Sequence, residues 1–223
     1  MKRSEINQYI NEAKSFMNAH QFMLPVWTGW TSQEWNDRKA ECDYIRERFL
    51  GWDLTDFGWG DFLKTGLTLI TLRNGSLQKK DKPYCEKIMF VRNGQVTPTH
   101  FHWQKTEDII NRGGGDLCMR LWKADRNSEE LKDENLSVYI DGICTHIIAG
   151  EKIVIKPGQS ICYEPYLYHT FWAENGHCLV GEVSTVNDDI NDNRFLIPKG
   201  RFPQIEEDVP AAYLLCNEYP KAE

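Results

Sequence analysis

Hydrophobic residues near the N-terminus recur at spacings of three and four positions, which is the period of an amphipathic helix. They are Ile6, Ile10, Ala13, Phe16 and Met17. Ser4 precedes them and has the side chain of an N-cap. The pattern therefore predicts a helix from Ser4 to near His20 that packs its apolar face on a sheet. Residues 33–50 have the pattern of a second short helix.

From residue 64 onward the pattern changes to short β-rich runs separated by turn signals. The runs are LTLITL, KIMFV, DLCMRLW, SVYI, ICTHII, KIVI, SICYE, HTFWA and CLVGEVSTV. The turn signals are RNGS at 73–76, RNGQ at 92–95, DG at 141–142, PGQ at 157–159 and ENG at 174–176. Many strands at such short spacing predict a mainly β fold, an antiparallel sandwich or barrel.

The predicted β region lies between two segments that lack its pattern of short strands and turns. Residues 21–62 contain five of the eight tryptophans, which are typical of core filler in an irregular lobe. We therefore expect an N-terminal helical, Trp-rich lobe over 1–63 packed on a barrel over 64–198. Residues 199–223 form a C-terminal tail that could fold back as a lid.

Composition narrows the functional classes. The chain has 223 residues, and its 26 basic and 33 acidic residues give a net charge of −7. An acidic chain without a basic tract is not expected to bind nucleic acid. No stretch of about 18 apolar residues is present, so no membrane partner is expected. Seven scattered cysteines without a C-x-x-C pair indicate reduced thiols and a cytoplasmic protein.

The stretch THFHWQKTEDII, at 99–110, carries the candidate chemistry. Side chains alternate along a strand, so His100 and His102 point to the same face and could share one metal ion. Glu107 has the wrong parity for that face, so its carboxylate can join only if the chain bends around 104–106. A pair of strand histidines with ordinary hydrogen bonds is the alternative, and the two histidines alone leave both interpretations open.

The wider spacing resembles the first motif of the cupin superfamily. Its fixed positions are matched by Gly94, His100, His102, Glu107 and Gly114. The resemblance implies a cupin double-stranded β-helix, a jelly-roll barrel that holds a metal ion on three histidines and a glutamate.

A later segment resembles the second cupin motif and supplies the third histidine. In KPGQSICYEPYLYHTFWAENG the candidate ligand is His169. It lies one place earlier than in the family pattern. Leu167 and Ala173 stand where the family has glycine and asparagine. Three imidazoles and a carboxylate suit Mn, Fe, Co, Ni or Zn, and open coordination positions could bind a sugar through two adjacent oxygens.

Acid–base groups are also required for chemistry at such a centre. Lys105 lies between two candidate ligands, and a bound cation would lower its pKa; the alternative is a solvated lysine on a loop. The run GEVSTVNDDINDNRF adds a second polar cluster, which includes Glu182, Ser184 and Asp192. Because polar residues in a strand interior need partners, this cluster predicts a polar pocket with Glu182 and Asp192 as substrate-binding candidates.

Longer strings resemble the D-lyxose isomerase family, a group of cupin-type aldose–ketose isomerases. They are THFHWQKTEDIINRGGGDL, EPYLYHTFWAE, EVSTVNDDINDNRF and GRFPQIEEDVPAAYLLCNEY. The resemblance implies interconversion of D-lyxose and D-xylulose, with D-mannose and D-fructose as a slower pair, on a divalent metal that is usually Mn. Cupin barrels often pair through their edges, so a homodimer is expected.

The same resemblance assigns roles to individual residues. The metal ligands would be His100, His102, Glu107 and His169. Lys105 would be an acid–base group, and the family also uses a glutamate from the C-terminal part. Glu206 is the first choice for that glutamate, with Glu207 and Glu182 as alternatives.

Two other functions fit the same ligand set. An Fe-dependent cupin dioxygenase would use the same four side chains with oxygen as a substrate. A non-catalytic sugar-binding cupin would be expected to carry a DNA-binding domain, and the sequence has no helix-turn-helix pattern.

Overall fold

The structure is a computed structural model and describes residues 1–79, 81–198, 200 and 203–221. The helices are α1 (Arg3–Ala19), α2 (Ser32–Asp37) and α3 (Asp43–Glu47), with 3-10 turns at Val26–Gly29 and Lys39–Cys42. The strands are β1 (Gly51–Thr55), β2 (Leu67–Asn74), β3 (Tyr84–Val91), β4 (Val96–Phe101), β5 (Glu107–Ala124), β6 (Leu131–Lys132), β7 (Leu136–Ile140), β8 (Ile143–Ile147), β9 (Ile153–Ile155), β10 (Ser160–Tyr163), β11 (Leu167–Thr185) and β12 (Arg194–Phe195). Among these helices, none combines the length and the apolar character needed to cross a bilayer.

Two long strands, β5 and β11, pair along their lengths and connect two layers of sheet. Residues 178–185 of β11 pair with β3, and the first half of β5 pairs with β10. Residues 169–172 of β11 pair instead with β4, and the second half of β5 pairs with β9. All of these pairings are antiparallel, and the first layer continues to β1 at one end and to β8 at the other. The predicted mainly β, cupin-type double-sheet barrel is confirmed.

Irregular residues let the two long strands pass from one layer to the other. In β5, Gly113 and Gly114 have φ of +151° and +94°. A Cβ on Gly114 would lie 2.1 Å from the carbonyl oxygen of His177, so only glycine fits there. The tight turn predicted from ENG at 174–176 is wrong, because that segment lies inside β11 as a break in its register with β5.

Helix α1 covers the outer face of the sheet, as predicted from its periodicity. Ile6, Ile10 and Met17 are fully buried in a cluster that includes residues of β1, β2 and β3. The predicted N-cap is wrong: the helix begins at Arg3, and the hydroxyl of Ser4 donates to Asp208 Oδ2 at 2.6 Å. Ser4 therefore links α1 to the C-terminal segment.

The boundary between lobe and barrel differs from the predicted one. The helix expected over 33–50 is divided into α2, a 3-10 turn and α3. Strand β1 follows at Gly51–Thr55 and pairs with β2 along its whole length, so the sheet begins at 51 rather than at 64. Trp52 and Leu54 are almost fully buried, which explains why this short segment becomes a strand.

The C-terminal segment at 203–221 packs against the N-terminal helix and the first strand. The backbone N–H of Arg3 donates to the carbonyl of Glu206 at 2.8 Å, and the buried Arg3 guanidinium pairs with Glu207 and Glu218. The N–H of Cys216 donates to the carbonyl of Trp52 at 2.7 Å. Residues 203–221 therefore pack on α1 and β1, whereas residues 199, 201, 202, 222 and 223 of the predicted tail or lid lie outside the described residues.

Candidate metal centre

Four predicted ligands meet at one end of the cavity between the two layers. His100 in β4 lies directly opposite His169 in β11, and His102 follows β4. One ring nitrogen of each histidine lies within 4.8 Å of the other two. Glu107, the first residue of β5, places Oε1 3.3 Å from His102 Nε2 and 3.4 Å from His169 Nε2. The chain bends at residues 103–104, which brings Glu107 to the histidines as the parity argument requires.

A bulge in β4 sets the register of the two facing histidines. His169 pairs with His100 and Phe171 pairs with Thr97, so β4 has one more residue than β11 between the two pairs. Pro98 lies in this bulge, where a strand tolerates a residue without an N–H. The carbonyl of Pro98 lies 2.8 Å from His100 Nδ1.

Backbone carbonyls hold all three imidazoles in one orientation. The Nδ1–O distances are 2.8 Å from His100 to Pro98, 2.6 Å from His102 to Asp192 and 2.9 Å from His169 to Leu167. Each Nδ1 therefore carries the proton and donates it, which leaves each Nε2 lone pair available to a metal ion.

The protonation states also suit a metal site. Burial, together with the neighbouring rings of His169 and His102, lowers the pKa of His100 well below its ordinary value. Burial lowers the pKa of His169 to about 4. Burial alone would raise the pKa of Glu107, but Lys105 and His102 hold it well below its usual range. Neutral imidazoles and an ionised carboxylate are the forms that bind divalent metals, so the buried group can hold one.

Lys105 is enclosed in the site rather than solvated on a loop. Its Nζ lies 2.7 Å from Glu107 Oε2 and 3.0 Å from Glu182 Oε1, and the side chain is 3% exposed. Burial lowers the pKa of Lys105, but the two carboxylates outweigh burial and raise it. The lowering expected from a bound cation stays a prediction, because the raised pKa describes the site with its two carboxylates alone.

Glu182 lines the same cavity, so its face of β11 points into the barrel, a question that the sequence leaves open. Its Oε1 accepts from Lys105, lies 3.3 Å from the hydroxyl of Ser184 and lies 3.4 Å from Lys87 Nζ. Among the described residues, no group hydrogen-bonds to Oε2. One oxygen of the carboxylate is thus held from several sides, and the other remains available.

The remaining two predicted site residues lie elsewhere. The carboxylate of Asp192 accepts from the backbone N–H groups of Gln104 and Lys105, both at 2.9 Å, so it holds the bend between the ligands. The backbone carbonyl of Asp192 also orients His102. Asp192 is not among the residues that line the cavity, so its contacts in the structure are with the protein and not with the space for a substrate. Glu206 is exposed and is tied through its backbone to Met1 and Arg3. Glu206 is not among the residues that line the cavity with Glu182, so the structure does not bring the predicted catalytic glutamate to the candidate site.

The cavity has one polar end and one apolar wall. Phe195 stacks on the His100 ring at 5.0 Å between centroids, and Phe57 packs against Phe195 at 5.6 Å. Further apolar lining comes from Leu67, Leu69, Met89, Ile109 and Phe171. Thr55 and Phe57 also line the cavity, so the segment assigned to the N-terminal lobe contributes to the site.

Sequence reasoning missed Lys87, a second lysine in the cavity wall. It is 3% exposed and lies in the middle of β3. The available signal was a lysine at the start of the otherwise apolar run KIMFV, because a charge in a strand interior needs a partner.

Known proteins similar to this chain are sugar isomerases. The family model described as D-lyxose isomerase matches residues 1–219. D-lyxose/D-mannose isomerase of Escherichia coli O157:H7 is 49% identical over 224 residues, which cover 98% of each chain. The enzyme of the same name from Serratia proteamaculans is 48% identical over 225 residues, again covering 98% of both.

Solved structures of L-ribose isomerases share the fold. A mutant of the Acinetobacter sp. DL28 enzyme in complex with L-ribose superposes with a TM-score of 0.60 at 14% identity, covering 88% of this chain and 93% of that one. The ligand-free enzyme of Cellulomonas parahominis gives 0.58 at 15% identity, with 92% and 98% covered. The family match over residues 1–219 and the two relatives together place this chain in the D-lyxose isomerase family.

Proposed function

We propose that this sugar isomerase interconverts D-lyxose and D-xylulose and, more slowly, D-mannose and D-fructose. The observation that carries the proposal is the convergence of three oriented imidazoles and Glu107, with Lys105 and Glu182 beside them in one cavity. The names of the two close relatives support both aldoses as substrates.

The proposed cofactor is one divalent metal ion, with Mn2+ as the first choice and Fe, Co, Ni and Zn as the other candidates. His100, His102, His169 and Glu107 would hold it, and their nitrogen and oxygen donors fit any of these ions. When bound, the ion would polarise the carbonyl and the adjacent hydroxyl oxygen of an open-chain sugar.

Glu182 is the proposed general base. It would remove the proton from C2 of the aldose, as a C1–C2 double bond forms and O1 takes up a proton to give a cis-enediol. Return of a proton to C1, with loss of the O2 proton, would complete the ketose. The free Oε2 of Glu182 supports this role, since a base needs an oxygen that is not already engaged.

Lys105 would stabilise negative charge as it develops on the sugar oxygens. Its ammonium group lies between Glu107 and Glu182, and both carboxylates favour its charged form. A positioned, buried cation is worth more here than in water, because little solvent screens it.

Replacing Lys105 with methionine should leave the metal site loaded but slow the reaction. General acid–base and electrostatic groups typically contribute a factor of about 100 to 10,000 each to the rate. The kcat of the variant should therefore fall by a factor within these limits. The measurement is metal content by mass spectrometry together with kcat on D-lyxose. Full activity in the Lys105→Met variant would remove Lys105 from the mechanism.

Metal removal tests the proposed function directly. Protein stripped with a chelator should convert no D-lyxose, and added Mn2+ should restore D-xylulose formation. Oxygen uptake with a catechol or thiol substrate would instead support the dioxygenase. Saturable sugar binding without conversion would support the sugar-binding cupin.

The homodimer remains a prediction, with one feature of the fold in its favour. Strand β8 lies at the end of the first layer and pairs only with β7 among the described strands. Ile143 and Ile148, at and just beyond its ends, are 69% and 59% exposed. An apolar open edge is suited to pairing with a second copy of the chain. A cytoplasmic location likewise remains a prediction.

A further inference from the structure

Lys87 is a buried cation that the proposed reaction has not yet used. It lies directly opposite Glu182 in the pairing of β3 with β11, so both side chains project from the same face into the cavity. The Lys87 side chain is 4% exposed. Burying a lysine charge is costly unless acceptors surround it. The acceptors around Lys87 therefore indicate its role.

Three acceptors surround the Lys87 ammonium group, and all come from β11 or the loop after it. Asn187 Oδ1 lies at 2.6 Å, Glu182 Oε1 at 3.4 Å and Asp189 Oδ1 at 3.5 Å. Burial lowers the pKa of Lys87, but Asp189 and Glu182 outweigh burial and raise it. Lys87 is therefore held as a cation beside the proposed base.

The nearest acceptor is itself fixed by the backbone. Asn74 Nδ2 donates to the carbonyl of Asn187 at 3.0 Å, and the N–H of Asn187 donates to Asn74 Oδ1 at 3.0 Å. Asn187 thus seats the Lys87 ammonium group at one point, from which it faces Oε1 of Glu182. Since Lys105 contacts the same Oε1, two cations hold one oxygen and leave Oε2 without a hydrogen-bond partner in the described part of the chain.

We propose that Lys87 is a positioning residue for catalysis: with Lys105 it orients the Glu182 carboxylate so that Oε2 faces the sugar carbon. This inference rests on the proposed function of Glu182 as the base. Lys87 does not transfer the proton itself, and substrate binding does not depend on it. A misplacement of about 1 Å in a reacting group can cost about 100-fold in rate, which sets the expected effect.

The test compares the change in kcat with the change in KM, measured on the metal-loaded protein. Lys87→Met should lower kcat on D-lyxose by about 100-fold, with KM changed by less than about threefold and metal content unchanged. Lys87→Arg, which keeps the positive charge, should recover a large part of kcat. A kcat within about twofold of the original in Lys87→Met would overturn the proposal, as would a loss confined to KM.

Arg92 offers a matched control for the loss of a buried cation. It follows β3, is 6% exposed and pairs with Glu12 on α1 at 2.7 Å, away from the cavity. Arg92→Met should lower the melting temperature and leave kcat unchanged. An equal loss of kcat in Arg92→Met would show that Lys87 acts only through stability.

A second variant keeps the proposal testable if Lys87→Met does not fold. Asn187→Ala removes the acceptor that seats the ammonium group but keeps both lysines, so kcat should fall by about tenfold at unchanged KM. Unchanged kcat in that variant would count against the proposed arrangement. Failure of the proposed function is read separately, because then the original protein with Mn2+ would convert no D-lyxose.

Discussion

Replacing His169 with alanine should abolish both metal binding and sugar isomerisation. His169 is 2% exposed, its Nδ1 is bonded to a backbone carbonyl, and its Nε2 lies 3.4 Å from Glu107 Oε1. Loss of one imidazole leaves an incomplete donor set in a buried site. Because a catalytic metal supplies several kcal/mol of charge stabilisation, turnover should fall by at least about 1,000-fold. Metal content and kcat on D-lyxose measure the two effects.

His146→Ala is the matched control for this substitution. His146 lies on β8, is exposed and contacts the hydroxyl of Ser137 at 2.7 Å, outside the cavity. This variant should retain both metal and activity. If His169→Ala kept a full complement of metal at the same affinity, His169 would not be a ligand.

Replacing Glu182 with glutamine should give an enzyme that binds metal and sugar but hardly turns over. The amide keeps the shape of the side chain but cannot accept a proton from carbon. Loss of a general base typically costs about 100- to 10,000-fold in kcat. The measurement is kcat on D-lyxose, supported by the rate at which solvent deuterium enters the sugar, which should fall in parallel.

Glu206→Gln decides between the two candidate glutamates with the same chemical change. Glu206 is exposed, its backbone is hydrogen-bonded to Met1 and Arg3, and it does not line the cavity that contains Glu182. We expect normal kcat in Glu206→Gln. The reverse pattern, with Glu206→Gln inactive and Glu182→Gln active, would restore the sequence-based choice.

The proposed ligand set could be predicted from the sequence because it depends on local rules. Strand alternation places His100 and His102 on one face, and the mismatch in parity of Glu107 requires the bend that the structure contains. The likeness to a cupin motif then indicates His169 as the third histidine ligand, although the motif does not give the register between β4 and β11. That register depends on the Pro98 bulge, which has no signal in the local pattern of polar and apolar residues.

The proposed catalytic glutamate could not be chosen from the sequence because its position depends on long-range pairing. Glu182 meets Lys105 only because β11 pairs with both β3 and β5. The acidic composition of residues 200–208 fits either a solvated tail or a lid. Arg3, near the opposite end of the chain, binds Glu207 and Glu218 and holds the described residues 203–221 against α1, a contact that composition does not reveal.

Boundary errors have a similar origin. ENG at 174–176 has the composition of a tight turn, yet the chain continues through it as one strand. Asn175 and Gly176 adopt φ of +60° and +137° there. Positive φ values of this kind occur in β-bulges as well as in tight turns. Composition alone cannot separate the two, since the difference is whether the flanking segments pair with each other or with a third strand.

The central claim is that three imidazoles and one carboxylate hold a single divalent ion in the cavity. Anomalous diffraction from crystals grown with Mn2+, recorded near the manganese absorption edge, tests it most directly. One peak per chain within bonding distance of His100 Nε2, His102 Nε2, His169 Nε2 and a Glu107 oxygen is the predicted result. A fully loaded, active crystal with its peak elsewhere, and these four side chains not bound to any ion, would contradict the account.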